Sequence, residues 1–382
     1  MSGGAPLYLD YAATTPVDAA VAQVMGECLT LAGTFGNAAS AHAFGFAAAR
    51  RVEAARAQVA ALLAAAPEEI VFTSGATESN NLALLGVMAA SAERGRHVVT
   101  LRTEHKAVLD PCRMLAAHGY RVTVLPVDGE GRLDLDDLAR AFAPDTLLVS
   151  VMHANNEIGT VHDIAAIAAL CRERGVLCHT DATQTIGRLP FDVGALGVDL
   201  ASFTGHKMYG PKGAGGLYVR RGCSLLPLFE GGGHERGLRS GTLNVPGIVG
   251  LAEALTLAVA EMPQDAAHTR RLRDRLWTAL REAVPAVRLT GVDPALDPDH
   301  RLPNNLHVTL DDADGDRIAP ALADVACSTR SACTSGASGP SHVLEALGRP
   351  EGGTTLRFGV GRFTTGDDIA RIAAGLLEST RA

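Results

Sequence analysis

The sequence predicts an α/β fold: a mainly parallel, seven-stranded sheet covered by helices, followed by a smaller α+β unit. Two patterns carry this reading. Seven short apolar runs, at 69–73, 98–101, 122–125, 147–151, 176–180, 200–204 and 216–219, lack the in–out alternation of a half-solvated strand. Between several of them lie amphipathic, Ala-rich stretches of helical period at 79–90, 107–117 and 164–174. Strands buried on both faces and separated by helices belong to a parallel sheet with crossovers.

The texture changes near residue 260. A long helical pattern over 246–283, expected to break near Pro263, leads into strand-like segments at 306–310 and 356–359. Helical patterns follow at 317–323 and 367–377, and the Asp-rich stretch 293–316 reads as solvated loop. The expected division is a large domain over 15–260 and a small one formed by 1–14 and 261–382, with the N-terminal segment crossing back. Neither an internal repeat nor a low-complexity tail is present.

Bulk properties exclude several function classes. At 382 residues, with 47% hydrophobic and 20% charged residues, the chain can bury a large core. A net charge of -8 argues against a general nucleic-acid surface, which needs clustered Lys and Arg. No uninterrupted apolar run of about 18 residues suggests a membrane span, and the N-terminus lacks the pattern of a signal peptide. A cytoplasmic location is the expectation. The seven cysteines contain no Cys-x-x-Cys and no two histidines stand three or four apart, so a zinc ribbon or helical His–His site is unsupported.

The chemistry-bearing residues cluster after the predicted strands. The run 176–180 ends in Asp181-Ala182-Thr183-Gln184, and the run 200–204 leads through Gly205-His206 to Lys207. Alone, Asp181 reads as a helix cap and Lys207 as a surface residue. Together they match what pyridoxal 5'-phosphate requires: an amine for the aldehyde and a carboxylate for the pyridine nitrogen. Strand 69–73 runs into Ser74-Gly75-Ala76-Thr77-Glu78, a turn that reads either as an N-cap or as a phosphate site at a helix N-terminus. No Gly-x-Gly-x-x-Gly or Walker-type loop occurs. His105, opening a helix after a strand, reads as a cap or as a ring stacked on an aromatic cofactor. Asn156 follows strand 147–151, where side chains face a carboxyl-end crevice. Arg357 is a lone arginine in an apolar strand, which suggests an anionic partner such as a substrate carboxylate. Cys333, in Ser331-Ala332-Cys333-Thr334-Ser335-Gly336, sits among small polar residues as an incidental thiol or a nucleophile.

With these motifs in place, the chain resembles the cysteine desulfurases of the NifS/IscS type, fold-type-I pyridoxal phosphate enzymes. The likeness runs from Leu9-Asp10-Tyr11-Ala12-Ala13-Thr14-Thr15-Pro16 to Gly361-Arg362-Phe363-Thr364-Thr365. It passes through Thr103-Glu104-His105-Lys106, Asn155-Asn156-Glu157-Ile158-Gly159, Gly231-Gly232-Gly233-His234-Glu235-Arg236-Gly237 and Arg239-Ser240-Gly241-Thr242. The resemblance implies Lys207 as the Schiff-base lysine, Asp181 as the pyridinium partner, His105 as stacking ring and proton carrier, and Gln184 at the ring hydroxyl. Ala76, Thr77, Thr204 and His206 would cradle the phosphate, and Thr242 would reach the phosphate of a partner subunit in a homodimer with shared sites. Asn156 and Arg357 would hold the carboxylate of L-cysteine, and Cys333, on a loop of about 327–340, would take its sulfur as a persulfide. The sulfur would pass to an acceptor protein such as an iron–sulfur scaffold or a tRNA-thiolation enzyme, with Cys333 a candidate transient cluster ligand. No nucleic acid or membrane is implied as a direct partner.

Three features depart from the family pattern or qualify it. Arg330 stands where a small residue is usual and would lower the Cys333 thiol pKa. Cys327 would pair with Cys333, relay sulfur, or stay buried and structural. A C-terminal extension that docks the cluster scaffold in many relatives is not seen before Ala382, which leaves the acceptor open. Competing readings are a selenocysteine lyase, an aminotransferase, which would not need Cys333, or a non-catalytic protein on the same fold.

Overall fold

The computed structural model describes residues 6–329, 341–348 and 353–379. Its strands are β1 (Leu7–Tyr8), β2 (Ile70–Thr73), β3 (His97–Leu101), β4 (Arg121–Leu125), β5 (Thr146–Ser150), β6 (Leu177–Asp181), β7 (Leu200–Thr204) and β8 (Gly215–Val219), then β9 (Arg288–Leu289), β10 (Asn305–Leu310), β11 (Val325–Ala326), β12 (Ser328–Thr329) and β13 (Thr354–Gly359). The seven strands expected from the apolar runs form one sheet in the order β2-β8-β7-β6-β5-β3-β4. Strand β8 is antiparallel to both neighbours, and every other pairing is parallel. β2 therefore runs in the same sense as β7, and the carboxyl ends of six strands open on one edge.

Alternation within each strand feeds two cores. On β3, Val98 packs with Leu82, Leu84, Val108 and Leu115, whereas Val99 faces Val52, Val59, Ile167 and Leu251. Leu148 and Val149 on β5, and Leu200 and Ala201 on β7, split the same way, as the two-residue period of a strand requires. Both faces are covered, so the strands show no polar side. β4, at the sheet edge, is the half-exposed exception.

A separate core lies on the second sheet, ordered β12-β13-β10-β9, where Leu306, Val308, Leu356 and Phe358 meet Leu272, Leu276, Ile369 and Leu376. β1 pairs in parallel with β11, and Asp10 bridges to Gly359, so the N-terminal segment does cross back to this sheet.

The helix Val245–Ala283 serves both cores: Val245, Ile248 and Leu251 enter the first, and Leu272, Leu276 and Leu280 the second. Part of it is long and apolar enough to cross a bilayer, but half of that stretch is buried inside the protein. The break expected at Pro263 does not occur. Proline removes one hydrogen bond and crowds the preceding turn, yet the helix runs on through it, with one half packed in each core.

Three further expectations change. The Asp-rich stretch is not all loop: it holds β10 and the helix Asp312–Ile318, whose N-cap Asp311 accepts from Asp314 N, with Asp312 and Asp314 in the first turn where the helix dipole favours them. The helix placed at 317–323 is the end of that element followed by a 3-10 turn, Ala319–Leu322, opened by Pro320. The helix placed at 79–90 begins earlier, at Ala76, and carries a π-helical segment, Leu82–Gly86.

Two buried histidines stitch the sheet. His97 on β3 bonds Thr146 on β5 (2.7 Å) and Thr123 on β4 (2.8 Å). His179 on β6 bonds Ser150 on β5 (2.8 Å) and Ser202 on β7 (3.0 Å). Burial pushes both rings down to about 4, and burial does the same to His153 and His162. The unfolded chain, with histidines near 6.5, binds more protons than the folded one between pH 6.5 and 4. Stability is therefore full above pH 6.5 and falls as the pH drops toward 4. Scanning calorimetry should show Tm falling by about 5 °C or more between pH 7 and pH 5; a flat profile over that range would refute the assignment.

Candidate active site

A cavity of about 490 Å³ opens at the carboxyl edge of the large sheet, and the segments that follow β2, β3, β5, β6 and β7 all reach it. After β2 the chain turns at Gly75, whose φ of 150° suits glycine, and enters the helix at Ala76. Gly75 also lies against β8, where a Cβ on Gly215 would come within 2.6 Å of its Cα. The amides of Ala76 and Thr77, in the first turn, have no intrahelical acceptor and line the cavity. Ser74 N is taken by the Glu78 carboxylate at 2.8 Å. Burial opposes ionisation of Glu78, but bonds from Arg239 and Ser74 outweigh it and hold the carboxyl below its usual range. Thr204, which donates to Ala214 O, and His206, bonded to Thr14 Oγ1 at 3.2 Å, complete the rim. Burial, then the charges of Lys207, Lys212 and Arg188, pushes His206 down to about 4, so at neutral pH it bonds as an uncharged ring.

Asp181 closes β6 with 5% of its surface exposed. Asn80 Nδ2 donates to one carboxylate oxygen at 2.7 Å and Thr183 N to the other at 3.0 Å. Among the described residues no cation forms an ion pair with it. Lys207 ends the 3-10 turn after β7, and its Nζ donates to Ala12 O and Ala13 O, both at 2.7 Å. Gln184 lines the cavity while its Nε2 donates to Ala12 O and its Oε1 accepts from Arg188.

His105 is a helix cap, and it also reaches the cavity. It caps the helix Lys106–Ala117 by accepting from Ala107 N at Nδ1 (3.1 Å), and its ring lines the cavity. With Nδ1 an acceptor, the proton of the neutral ring sits on Nε2. Asn156 is also on the wall. Arg357 is not among the lining residues. It is buried and committed within the chain, donating to Asp10 (2.8 Å), Ser328 (2.7 Å) and Asn156 O (3.2 Å). Thr242 is exposed and away from this cavity. Cys333 and Arg330 lie outside the described residues. Burial, then the charge of Asp10, pushes the Cys327 thiol up to about 11, which disfavours a nucleophilic relay and fits a structural thiol.

Several contributors were missed from sequence. Asn80 carries a helical period that brings it under Asp181, but its type gives no cue. Half-buried Arg188 bonds Tyr11 O, Lys207 O and Gln184, a role built largely on backbone acceptors that no motif displays. Glu104 is fully buried and takes Met152 N at 2.7 Å. Burial raises its carboxyl well above the usual range, partly offset by the Met152 bond and reinforced by Asp181.

The donor set fits pyridoxal 5'-phosphate: first-turn helix amides for a phosphate, a carboxyl group that among the described residues has no cationic partner for a ring nitrogen, a primary amine, and an imidazole to stack. The aminotransferase class-V family model matches residues 7–372. The protein named cysteine desulfurase IscS from Enterobacter sp. (strain 638) is 51% identical over 369 residues, covering 95% of this chain and 90% of its own. A solved NifS-like protein superposes with a TM-score of 0.89 at 37% identity over 98% of each chain. A structure of SspA in complex with cysteine gives 0.81 at 34% identity, covering 94% of this chain and 100% of that one. A cavity built for this cofactor, on a chain that aligns almost end to end with these proteins, places the sequence in the aminotransferase class-V family of pyridoxal phosphate enzymes, among the cysteine desulfurases.

Proposed function

We propose that the chain removes sulfur from L-cysteine, releasing L-alanine and leaving the sulfur as a persulfide on Cys333. The observation that carries this reading is the convergence of Lys207 Nζ, the Asp181 carboxylate and the His105 ring on one cavity. Bound pyridoxal 5'-phosphate would supply a carbonyl for the substrate amine and a ring that absorbs charge from the substrate carbon. Ala76, Thr77, Thr204 and His206 would hold its phosphate, Asp181 its ring nitrogen, and Gln184 its ring hydroxyl.

The chain's own groups divide the remaining work. Lys207 Nζ, held by two carbonyls of the N-terminal segment, takes the proton from the substrate Cα and later returns it. His105 carries a proton at Nε2, on the ring edge away from its helix-capping nitrogen. Asn156 orients the substrate. The Cys333 thiolate attacks the substrate sulfur; the carbon–sulfur bond breaks, its electron pair stays with the substrate carbon, and a proton there completes alanine. Substrate cysteine and one enzyme thiol thus become alanine and one enzyme persulfide, with atoms and electrons in balance. The SspA structure, solved with cysteine, supports the substrate assignment.

The acceptor of this sulfur is a thiol-bearing protein. We also infer a homodimer. Leu29, Leu31, Phe35, Phe44 and Phe46 are all exposed within one short stretch, and the Phe35 and Phe44 rings meet tilted with centroids 5.3 Å apart, an apolar patch of the kind that self-association covers.

Cys333→Ala should lose persulfide formation and sulfide release with dithiothreitol by about 100-fold or more while keeping the visible absorption of the cofactor. Full turnover in that variant would instead indicate an aminotransferase or lyase that does not use the thiol. Asn80→Leu, which strips one donor from Asp181, should lower kcat by about tenfold with little change in Tm; an unchanged kcat would remove Asp181 support from the account. Sedimentation should give a dimer for the wild-type chain and a monomer for Leu31→Asp/Phe44→Asp; a wild-type monomer would refute the shared-site reading.

A further inference from the structure

The chain is fixed at the site on both sides of Cys333. Five positions before it, Ser328 accepts from Arg357 Nη2 at 2.7 Å and donates to Asp10 at 2.9 Å. Eight positions after it, Ser341 donates its hydroxyl to Glu157 Oε2 at 2.6 Å, a short charge-assisted bond between groups 4% and 5% exposed. The same hydroxyl oxygen caps the helix His342–Ala346 by accepting from Val343 N and Leu344 N. His342 Nε2 then bonds Glu104 O at 2.9 Å, and Val343 and Leu347 pack on Ile158.

The partners on the other side of these contacts are informative. Glu104 immediately precedes His105, and Glu157 immediately follows Asn156, so each anchor grips the residue next to a cavity-lining one. The turn bearing Glu157 is itself rigid: Asn155 Oδ1 accepts from Glu157 N and Ile158 N, and Asn155 Nδ2 donates to Thr103 O. Asn305 Nδ2 adds a bond to Glu157 O at 2.9 Å. A buried carboxyl group is costly unless hydrogen-bonded, and here, among the described residues, the Ser341 hydroxyl from the segment downstream of Cys333 serves it.

We propose that Glu157 is a positioning residue for sulfur transfer, setting the register of the Cys333-bearing chain against the Asn156 turn through its bond to Ser341. This rests on Cys333 being the sulfur acceptor. The contact does not touch the cofactor cavity, so its loss acts on delivery of the thiol and leaves substrate binding in place.

The test uses the cofactor-loaded, full-length protein with Ser341→Ala, Ser341→Thr and Glu157→Ala. The Ala variants should lose about tenfold in kcat for alanine release with dithiothreitol, with KM for L-cysteine within twofold of wild type. Single-turnover persulfide formation on Cys333, followed by peptide mass spectrometry, should slow by the same factor. Amide exchange across 341–348 should quicken, and Ser341→Thr, which keeps the hydroxyl, should restore both. Wild-type kcat in both Ala variants, even with a lowered Tm, would overturn the proposal and leave the bond a purely structural one. A loss of cofactor absorption or a matching rise in KM would overturn it equally, by tying the turn to the cavity. Cys333→Ala run in parallel separates the two levels: full turnover there defeats the acceptor reading itself, whatever the anchor variants do.

Discussion

One half-buried guanidinium holds together the three segments on which the site depends. Arg188 donates to Tyr11 O in the N-terminal segment, to Gln184 after β6, and to Lys207 O after β7. Only arginine offers enough donors, in a fixed planar fork, to serve three strands of chain at once. Burial lowers its pKa, with Tyr209 and Asp265 opposing that shift, so the ring of carbonyl dipoles does much of what a carboxylate would do elsewhere. Because Arg188 fixes Tyr11, the next two carbonyls, Ala12 O and Ala13 O, arrive where they meet Lys207 Nζ. The Lys207 amine is thus placed by a residue that is not among those lining the cavity.

The electrostatics beneath the cavity follow the same logic of environment over residue type. Two carboxyl groups, Asp181 and Glu104, are buried near each other. Asp181 has a donor on each oxygen, whereas Glu104 has Met152 N on one and, among the described residues, no partner on the other. Full burial, reinforced by the neighbouring Asp181, pushes the Glu104 carboxyl well above its usual range against the Met152 bond. Of the two, Asp181 is the one whose oxygens are both aimed and supported.

Much of this was legible in the sequence because it follows from local pattern. Strands buried on both faces announce themselves by lacking alternation, and a crevice at their carboxyl ends places His105, Asn156, Asp181 and Lys207 together without further information. What stayed hidden is what depends on distant backbone. Asn80 reaches an acid 101 positions away and Arg188 a carbonyl 177 positions away, and neither residue type in its local context suggests such a partner. Pro263 misled for a related reason: propensity argues for a break, but a helix gripped by one core at each end has nowhere to bend. The helix at 312–318 was legible in principle, since Asp311 with acids behind it is a helix start, but the density of aspartates read as loop.

Arg357 shows where a residue-type argument stops short. An arginine in an apolar strand does imply an anion, and the chain supplies one in Asp10. Its Nη2 serves Asp10 and Ser328 and its Nη1 serves Asn156 O, while the buried Nε has no partner among the described residues. A bidentate grip on an incoming carboxylate needs two parallel N–H groups on one edge of the fork. The only edge with an uncommitted nitrogen pairs Nε with the nitrogen that already holds Asp10 and Ser328. A substrate carboxylate held there must therefore share or displace Asp10, and in doing so it disturbs Ser328, five residues ahead of Cys333. Asp10, Ser328 and the Asn156 turn thus meet at one guanidinium, whose remaining N–H is buried without a partner among the described residues.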